Sequence, residues 1–213
     1  MGHAERVKGV ESIREMIFMD DRIRQQVDFI VEIDRLKEIV RRTYLMDGSR
    51  REDDAEHSWH IAMMALVLSE HTNASCDMLR VVKMLLIHDI VEIDAGDAFI
   101  YDDKANEGKG ERERMAAIRI FNILPEDQAE VYLDLWREFE ERKTPESLFA
   151  NSVDRLEPIL QNYYTKGKTW QAHGIKPSQV LEKNRRIADG SAVLWEYAQG
   201  IIRESEEKGY FIH

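Results

Sequence analysis

The stretch Val81–Asp97, VVKMLLIHDIVEIDAGD, decides how the rest of this 213-residue chain is read. It starts with apolar residues at helical spacing and then sets His88, Asp89, Glu92, Asp94 and Asp97 within a few turns. Acids that end an oily helix oppose the local preference for burial, and such conflicts mark functional sites. A His followed by an Asp offers one imidazole nitrogen and one carboxylate oxygen, which suits a divalent metal. Two ligands do not hold an ion, so the others must come from elsewhere in the chain.

Outward from that stretch the pattern is helical nearly throughout. Four prolines and 11 glycines leave little room for a turn-rich β architecture, and the expected fold class is all-α. Val10, Ile13 and Ile17 suggest a short first helix. Phe29, Ile33, Leu36 and Val40 stripe a longer one that ends near Tyr44, before the Asp47-Gly48-Ser49 turn signal. Asp53 with Glu56 resembles a capping box and opens AEHSWHIAMMALVLSEH, oily on most of its surface and therefore expected to be central. A helix is expected over Asp77–Ile93, with Gly96 as its stop. Residues 98–110 read as a lid or binding loop.

Helices are then expected through Met115–Ile123 and from Pro125 to about Arg142. Thr144-Pro145-Glu146 starts another, striped by Leu148, Ser152, Leu156, Ile159 and Tyr163. After a loop over Lys166–Pro177, a long final helix is expected from about Ser178 to Lys208. There are no repeats and no domain boundary, so residues 1–213 are expected to form one compact helical domain, its core at about 22–164.

Lys plus Arg number 30 against 41 Asp plus Glu, a net charge of −11 that disfavours a nucleic-acid polymer as partner. A local arginine pocket or a metal can still receive a small anion. Cys76 is the only cysteine, which excludes an intrachain disulfide and fits a reducing compartment. The start, MGHAERVKGV, has no apolar signal segment. The longest oily run, Ile61–Leu68, is far too short to span a bilayer. A cytoplasmic protein without membrane contact is expected.

Among seven histidines, His3 and His213 lie at the termini, His173 in a loop, and His71 at a helix end where a cation favours the dipole. His57 and His60 remain, one helical turn apart, so the two can share a face and a metal. Asp154, in NSVDRLEP, is an acid inside an apolar-periodic helix; it either serves a site or pairs with Arg155 or another nearby arginine on a partly exposed face. Pro158 removes the amide that would bond the Asp154 carbonyl, so a kink is expected there. The four tryptophans are expected to pack, with Trp170 as the one to watch for base stacking. Glu111–Arg114 reads as an exposed face, from which Arg112 or Arg114 could reach a phosphate across the 98–110 loop.

His57 within EHSWH, then His88-Asp89, then Asp154 follow the H…HD…D order of the HD-domain metal phosphohydrolases. The text AEHS…HDIVEIDAGD…VDRLEP resembles the branch that includes bacterial 5′-deoxynucleotidases, from about Arg35 to Pro158. The resemblance implies one divalent ion (Co, Mn, Fe or Zn) held by His57, His88, Asp89 and Asp154. It implies that Glu92 handles the water or the phosphate, that Asp97 faces the sugar, and that Arg41 or Arg42 grips the phosphate. Thr43 and Tyr44 follow those arginines where the deoxynucleotidases carry an aromatic. The implied activity is removal of phosphate from (deoxy)nucleoside 5′-monophosphates by a homodimer. The alternatives are the same chemistry on a phosphodiester or nucleoside triphosphate, or a helical binding protein with a vestigial site.

Overall fold

A computed structural model describes residues 21–212. The short helix expected around Val10–Ile17 lies outside them. The architecture is helical, as expected, with one small sheet. Helix α1 covers residues 21–33 and runs into a 3-10 turn at Asp34–Glu38. Strands β1 (Val40–Tyr44) and β2 (Arg51–Asp53) follow as an antiparallel hairpin. Then come α2 (Asp54–Val67), α3 (Met78–Ile87), a 3-10 turn at His88–Val91, and α4 (Glu92–Ala95). Helices α5 (Asp103–Asn106), α6 (Lys109–Phe121), α7 (Glu126–Glu141) and α8 (Pro145–Tyr164) complete the part that carries the site. The chain closes with α9 (Lys168–Ala172), α10 (Pro177–Asn184), α11 (Ile187–Gly190) and α12 (Ala192–Glu207).

The hairpin replaces the end of the expected second helix. Apolar spacing carries the helical pattern to Val40, but the β-branched residues of VRRTY favour a strand once a partner strand is near. The turn supplies that partner: Gly48 takes φ 71°, its amide bonds the Leu45 carbonyl at 2.7 Å, and Asp47 Oδ1 accepts from the Ser49 amide at 2.9 Å. The hairpin fixes Arg41 beside the site.

Helix α8 is the central element and packs against α2, α3, α7, α11 and α12. Phe149, Val153, Leu156 and Ile159 bury one stripe of it. Thr144 caps it reciprocally with Ser147, and Pro145 occupies the first position. Helical backbone continues through Pro158 to Tyr164. Asn162 Nδ2 donates to the Pro158 carbonyl at 2.9 Å and ties the following turn back to it. On its other flank α8 meets α11 so closely that a Cβ on Gly190 would lie 2.3 Å from the Leu148 carbonyl oxygen.

Three expectations of length are corrected. The helix expected over 77–93 ends at Ile87, and a tighter 3-10 turn re-aims His88 and Asp89. The loops at 98–110 and 166–177 contain α5 and α9 and the start of α6. The long final helix is three helices, broken where Gly190 and the extended Ser191 intervene; Ser191 then caps α12 through the Leu194 amide. Helix α2 buries Ile61, Ala62 and Ala65 but exposes Trp59, Met63, Leu66 and Val67, so it lies at the edge of the core rather than its centre. Among the described residues no helix is long and apolar enough to cross a membrane.

Candidate metal centre

His57 and His88 converge from α2 and from the turn after α3, with ring centroids 5.6 Å apart. The Asp53–Glu56 capping box expected from the sequence starts α2 and sets the angle at which His57 enters. His57 Nε2 lies 3.1 Å from Asp154 Oδ1 on α8, and His88 Nε2 lies 3.7 Å from the same oxygen. Asp154 therefore serves the histidines and does not pair with Arg155, whose Nη1 donates to the Lys183 carbonyl at 2.8 Å. Asp89 stands across from Asp154, its oxygens 3.2 Å from His88 Nε2 and 3.8 Å from His57 Nε2. All four residues expected to ligate an ion are thus brought together.

The donor set fits a divalent cation. Ligand atoms of His57, His88 and Asp154 lie within 4.8 Å of one another, and Asp89 flanks both rings. His88 Nδ1–H donates to the Leu85 carbonyl at 2.9 Å, which leaves a lone pair on Nε2. That Nε2 is buried and has no hydrogen-bond partner. A buried acceptor with two carboxylates near it is destabilising unless a proton or a metal intervenes. Burial and the Arg41 charge oppose protonation of His57, yet hydrogen bonds to Asp154 and Glu157 raise its pKa to about 9. Burial likewise opposes the charge on Asp154, but hydrogen bonds from both histidines hold it well below the usual carboxylate range. The rings and carboxylates are arranged to share positive charge.

A second group of acids stands behind His57. Its Nδ1 lies 3.4 Å from Glu157 Oε2 and 3.7 Å from Glu52 Oε2, all three side chains being buried. His60 does not join His57 on an ion; its Nδ1 lies 3.3 Å from Glu157 Oε1. The spacing could have shown this. His57 and His60 are three residues apart on α2, Asp154 and Glu157 three apart on α8, and the pairs meet in step.

The site opens into a cavity of about 400 Å³ lined by Arg41, Asp89, Glu92, Asp97, Lys109 and Asp154 among others. Arg41, not Arg42, faces the metal-ligand candidates: its Nη1 donates to Asp89 Oδ2 at 2.8 Å and to Asp54 Oδ1 at 3.1 Å. Arg42 is exposed, although it borders the cavity and its carbonyl accepts from Thr169 Oγ1. Glu92 is buried at the start of α4, where burial and the charges of Asp89, Asp54 and Asp97 push its pKa well up. Asp54 is pushed up to about 7 by burial and Asp89. Asp97 lines the cavity and is raised by burial, against the pull of Arg41.

Sequence reading missed Lys109, which lies 3.6 Å from Glu92 and 3.2 Å from Glu113. Arg112 and Arg114 do not take that place; Arg112 donates to the Glu107 carbonyl and Arg114 pairs with Glu111. Trp170 is buried and stacks on Phe211 at 4.4 Å, so its ring is already used. Trp59, expected to pack, is 63% exposed.

The HD domain family matches residues 33–195. The chain is 31% identical over 166 residues to the 5′-deoxynucleotidase HDDC2 of Dictyostelium discoideum, covering 75% of this chain and 87% of that one. It is 29% identical over 151 residues to the human 5′-deoxynucleotidase HDDC2, covering 70% and 72%. Among solved structures, a predicted metal-dependent phosphohydrolase from Magnetospirillum magnetotacticum MS-1 superposes with a TM-score of 0.87 at 49% identity, over 92% of this chain and 98% of that one. With the two histidines and two aspartates gathered at one point in the order that the family motif requires, the chain belongs to the HD-domain family, on a branch related to 5′-deoxynucleotidases.

Proposed function

We propose that this chain is a metal-dependent phosphomonoesterase that releases phosphate from (deoxy)nucleoside 5′-monophosphates. One observation carries the proposal: two imidazole Nε2 atoms and the Asp154 and Asp89 carboxylates converge at a nucleotide-sized cavity, beside the partly buried Arg41. His57, His88, Asp89 and Asp154 would hold the ion. Such a donor set leaves open positions on six-coordinate Mn²⁺, Co²⁺ or Fe²⁺, and zinc fits with fewer ligands. A divalent ion supplies polarisation of a phosphoryl oxygen and makes water more acidic.

The chain's own groups do the rest. Hydrolysis forms a bond from water oxygen to phosphorus and breaks the bond from phosphorus to O5′. Glu92, whose environment favours the protonated carboxyl, gives its proton to O5′ as that bond breaks. The proton lost by water returns to the Glu92–Asp54 carboxyl pair, and the balance closes. Arg41 lends positive charge to the transferring group, held in place by Asp54 and Asp89. Asp97 accepts from a sugar hydroxyl, which would make it sensitive to the deoxyribose.

The deciding measurement is phosphate release from the four deoxyribo- and four ribonucleoside 5′-monophosphates with Co²⁺, Mn²⁺, Mg²⁺ or Zn²⁺ added in turn. Release from the deoxy set supports the whole reading. Release from both sets removes the sugar role of Asp97, and silence with every metal overturns the activity.

The proposal extends to a homodimer in the cytoplasm. Trp59, Met63, Leu66 and Val67 follow one face of α2, all of them exposed. Sedimentation at micromolar concentration should give twice the chain mass, and a monomer there would remove the dimer. The free thiol of Cys76 is compatible with a reducing compartment.

A further inference from the structure

The cavity has two cationic walls, and among the described residues only one has its cations in close ion pairs. On the side formed by the hairpin and α6, Arg41 is paired with Asp54 and Asp89, and Lys109 with Glu92 and Glu113. On the side formed by α7 and α8, Arg142 and Arg155 line the same cavity. Among the described residues, neither has a carboxylate oxygen within 4.0 Å of its guanidinium nitrogens. Arg155 makes one hydrogen bond, to the Lys183 carbonyl, and the Arg142 guanidinium makes none among those residues. The Nε of each is buried and unpartnered. Burial opposes the charge on Arg155, Asp154 favours it from beyond ion-pair distance, and the positive charges of Arg142 and Arg186 oppose it again.

Its other polar groups are the exposed Glu140 of α7, which lines the cavity without an ion pair to either arginine, and neutral side chains. Tyr101 and Asn184 line the cavity, and Asn184 Nδ2 donates to the Tyr101 oxygen at 3.4 Å. Burial pushes the Tyr101 phenol up to about 12, so its own proton stays available for donation. Arg142 is held there by the C-terminus of α7, where it takes a left-handed backbone with φ 53°. Two forked cations and a phenol, with Asp154 as the acid between them and the histidines, form a receptor for a group rich in acceptor oxygens. Asp154 would be occupied by the ion, so it would not repel that group fully.

We infer that Arg142 and Arg155 form a subsite for a second phosphoryl group, so that this cavity takes nucleotides bearing two phosphoryl groups as well as one. The inference rests on the proposed phosphatase reading for the position of the first group at the histidines. The second group has two possible sources, a 5′-diphosphate chain or a phosphate on the sugar 3′-oxygen, and the chemistry recognised is the same. In a purely structural role Arg155 would tether α8 to α10 and Arg142 would only cap α7. That role leaves both buried Nε atoms without a partner.

The test compares dAMP, dADP and deoxyadenosine 3′,5′-bisphosphate on the Mn²⁺-loaded full chain, by kcat/KM and by calorimetric affinity on chelator-treated protein. At least one doubly phosphorylated ligand should bind about tenfold more tightly than dAMP, a margin of about 1.4 kcal/mol. Preference for dADP places the second group on the 5′ chain, and preference for the bisphosphate places it on the sugar. The ratio of affinities over dAMP should fall at least fivefold in Arg142→Gln and in Arg155→Gln, while Arg142→Lys retains most of it. Affinities equal within twofold in the unaltered chain overturn the subsite, and so does a ratio unmoved in both glutamine variants. A calorimetric preference without hydrolysis of any ligand leaves the subsite standing and sinks the phosphomonoesterase reading. Hydrolysis of dAMP without any preference does the reverse.

Discussion

The two faces of His57 are built from the same residue types and do different work. On its Nε2 face stand His88, Asp89 and Asp154; on its Nδ1 face stand His60, Glu52 and Glu157. His57, His88 and Asp154 on the first side, and Glu52, His60 and Glu157 on the second, could each hold an ion by composition and by spacing. What separates them is access. The first borders the cavity, where the buried His88 Nε2 has no hydrogen-bond partner. The second also holds buried unpartnered atoms, His57 Nδ1, Glu52 Oε2 and Glu157 Oε2, but none of Glu52, His60 and Glu157 lines the cavity. An acid on the back of a ligating histidine fixes its tautomer and raises its basicity, so the rear trio is a support for the front one.

The largest effect should come from the front. Asp154→Asn removes the carboxylate whose single oxygen Oδ1 lies within 3.7 Å of both rings, with little change in volume. Metal content after dialysis should fall to background and turnover with it, a loss beyond the roughly 10- to 100-fold that an outer partner costs. The rise in melting temperature produced by added metal should also vanish, because only a folded chain that binds the ion is stabilised by it. Retention of that rise would show that the ion sits elsewhere, and the distinction between the two faces would collapse.

Next comes the support itself. Glu157→Gln keeps a hydrogen-bonding side chain behind His57 but removes its charge. The amide is expected to lower metal affinity or kcat by about 10- to 100-fold, without abolishing either. Titration of the apoprotein with Mn²⁺ measures the affinity directly. A variant that loses the ion as completely as Asp154→Asn would make Glu157 a ligand instead.

Both faces depend on where α8 lies, which gives a third and smaller test. Gly190→Ala would put a methyl 2.3 Å from the Leu148 carbonyl oxygen, backbone against backbone. Overpacking of this kind costs typically about 1–3 kcal/mol. For a chain of this size that is roughly 2–4 °C of melting temperature per kcal/mol. If α8 is the shared support, metal affinity should weaken in proportion to the shift. An unchanged melting temperature would mean that α11 can retreat without cost.

Much of the front face was legible from sequence, and little of the rear. The ordered His57, His88-Asp89 and Asp154 are recognisable because the metal demands particular residue types, whatever the surrounding fold. The two N-terminal caps of α2 and α8 were legible as well, since a cap is a local interaction within four residues. The hairpin was not, because residues 29–40 satisfy a helical spacing and only the pairing of Val40 with Asp53 overrides it. Asp54 and Glu52 looked like ordinary acids before a helix start, and Lys109 like a charge in a polar loop. The roles of Asp54 and Glu52 come from partners 35 or more residues away, Asp89 and Glu157, and that of Lys109 from Glu92, 17 residues before it. The break at Gly190 likewise answers to Leu148 and not to its neighbours in sequence.

The smallest expected effect is the sharpest test of the comparison. His60 is about one-third exposed and makes a 3.3 Å contact with Glu157. His60→Gln keeps a donor for Glu157 Oε1 while removing the imidazole that a second metal ion would require. If the rear trio is only a support, stability should change by less than about 0.5 kcal/mol, as at other partly exposed positions. The unaltered chain should bind one Mn²⁺ per chain by elemental analysis, and the variant should bind the same. Two ions per chain falling to one in the variant would show that the rear trio is a metal site, and access to the cavity would no longer be what separates the faces.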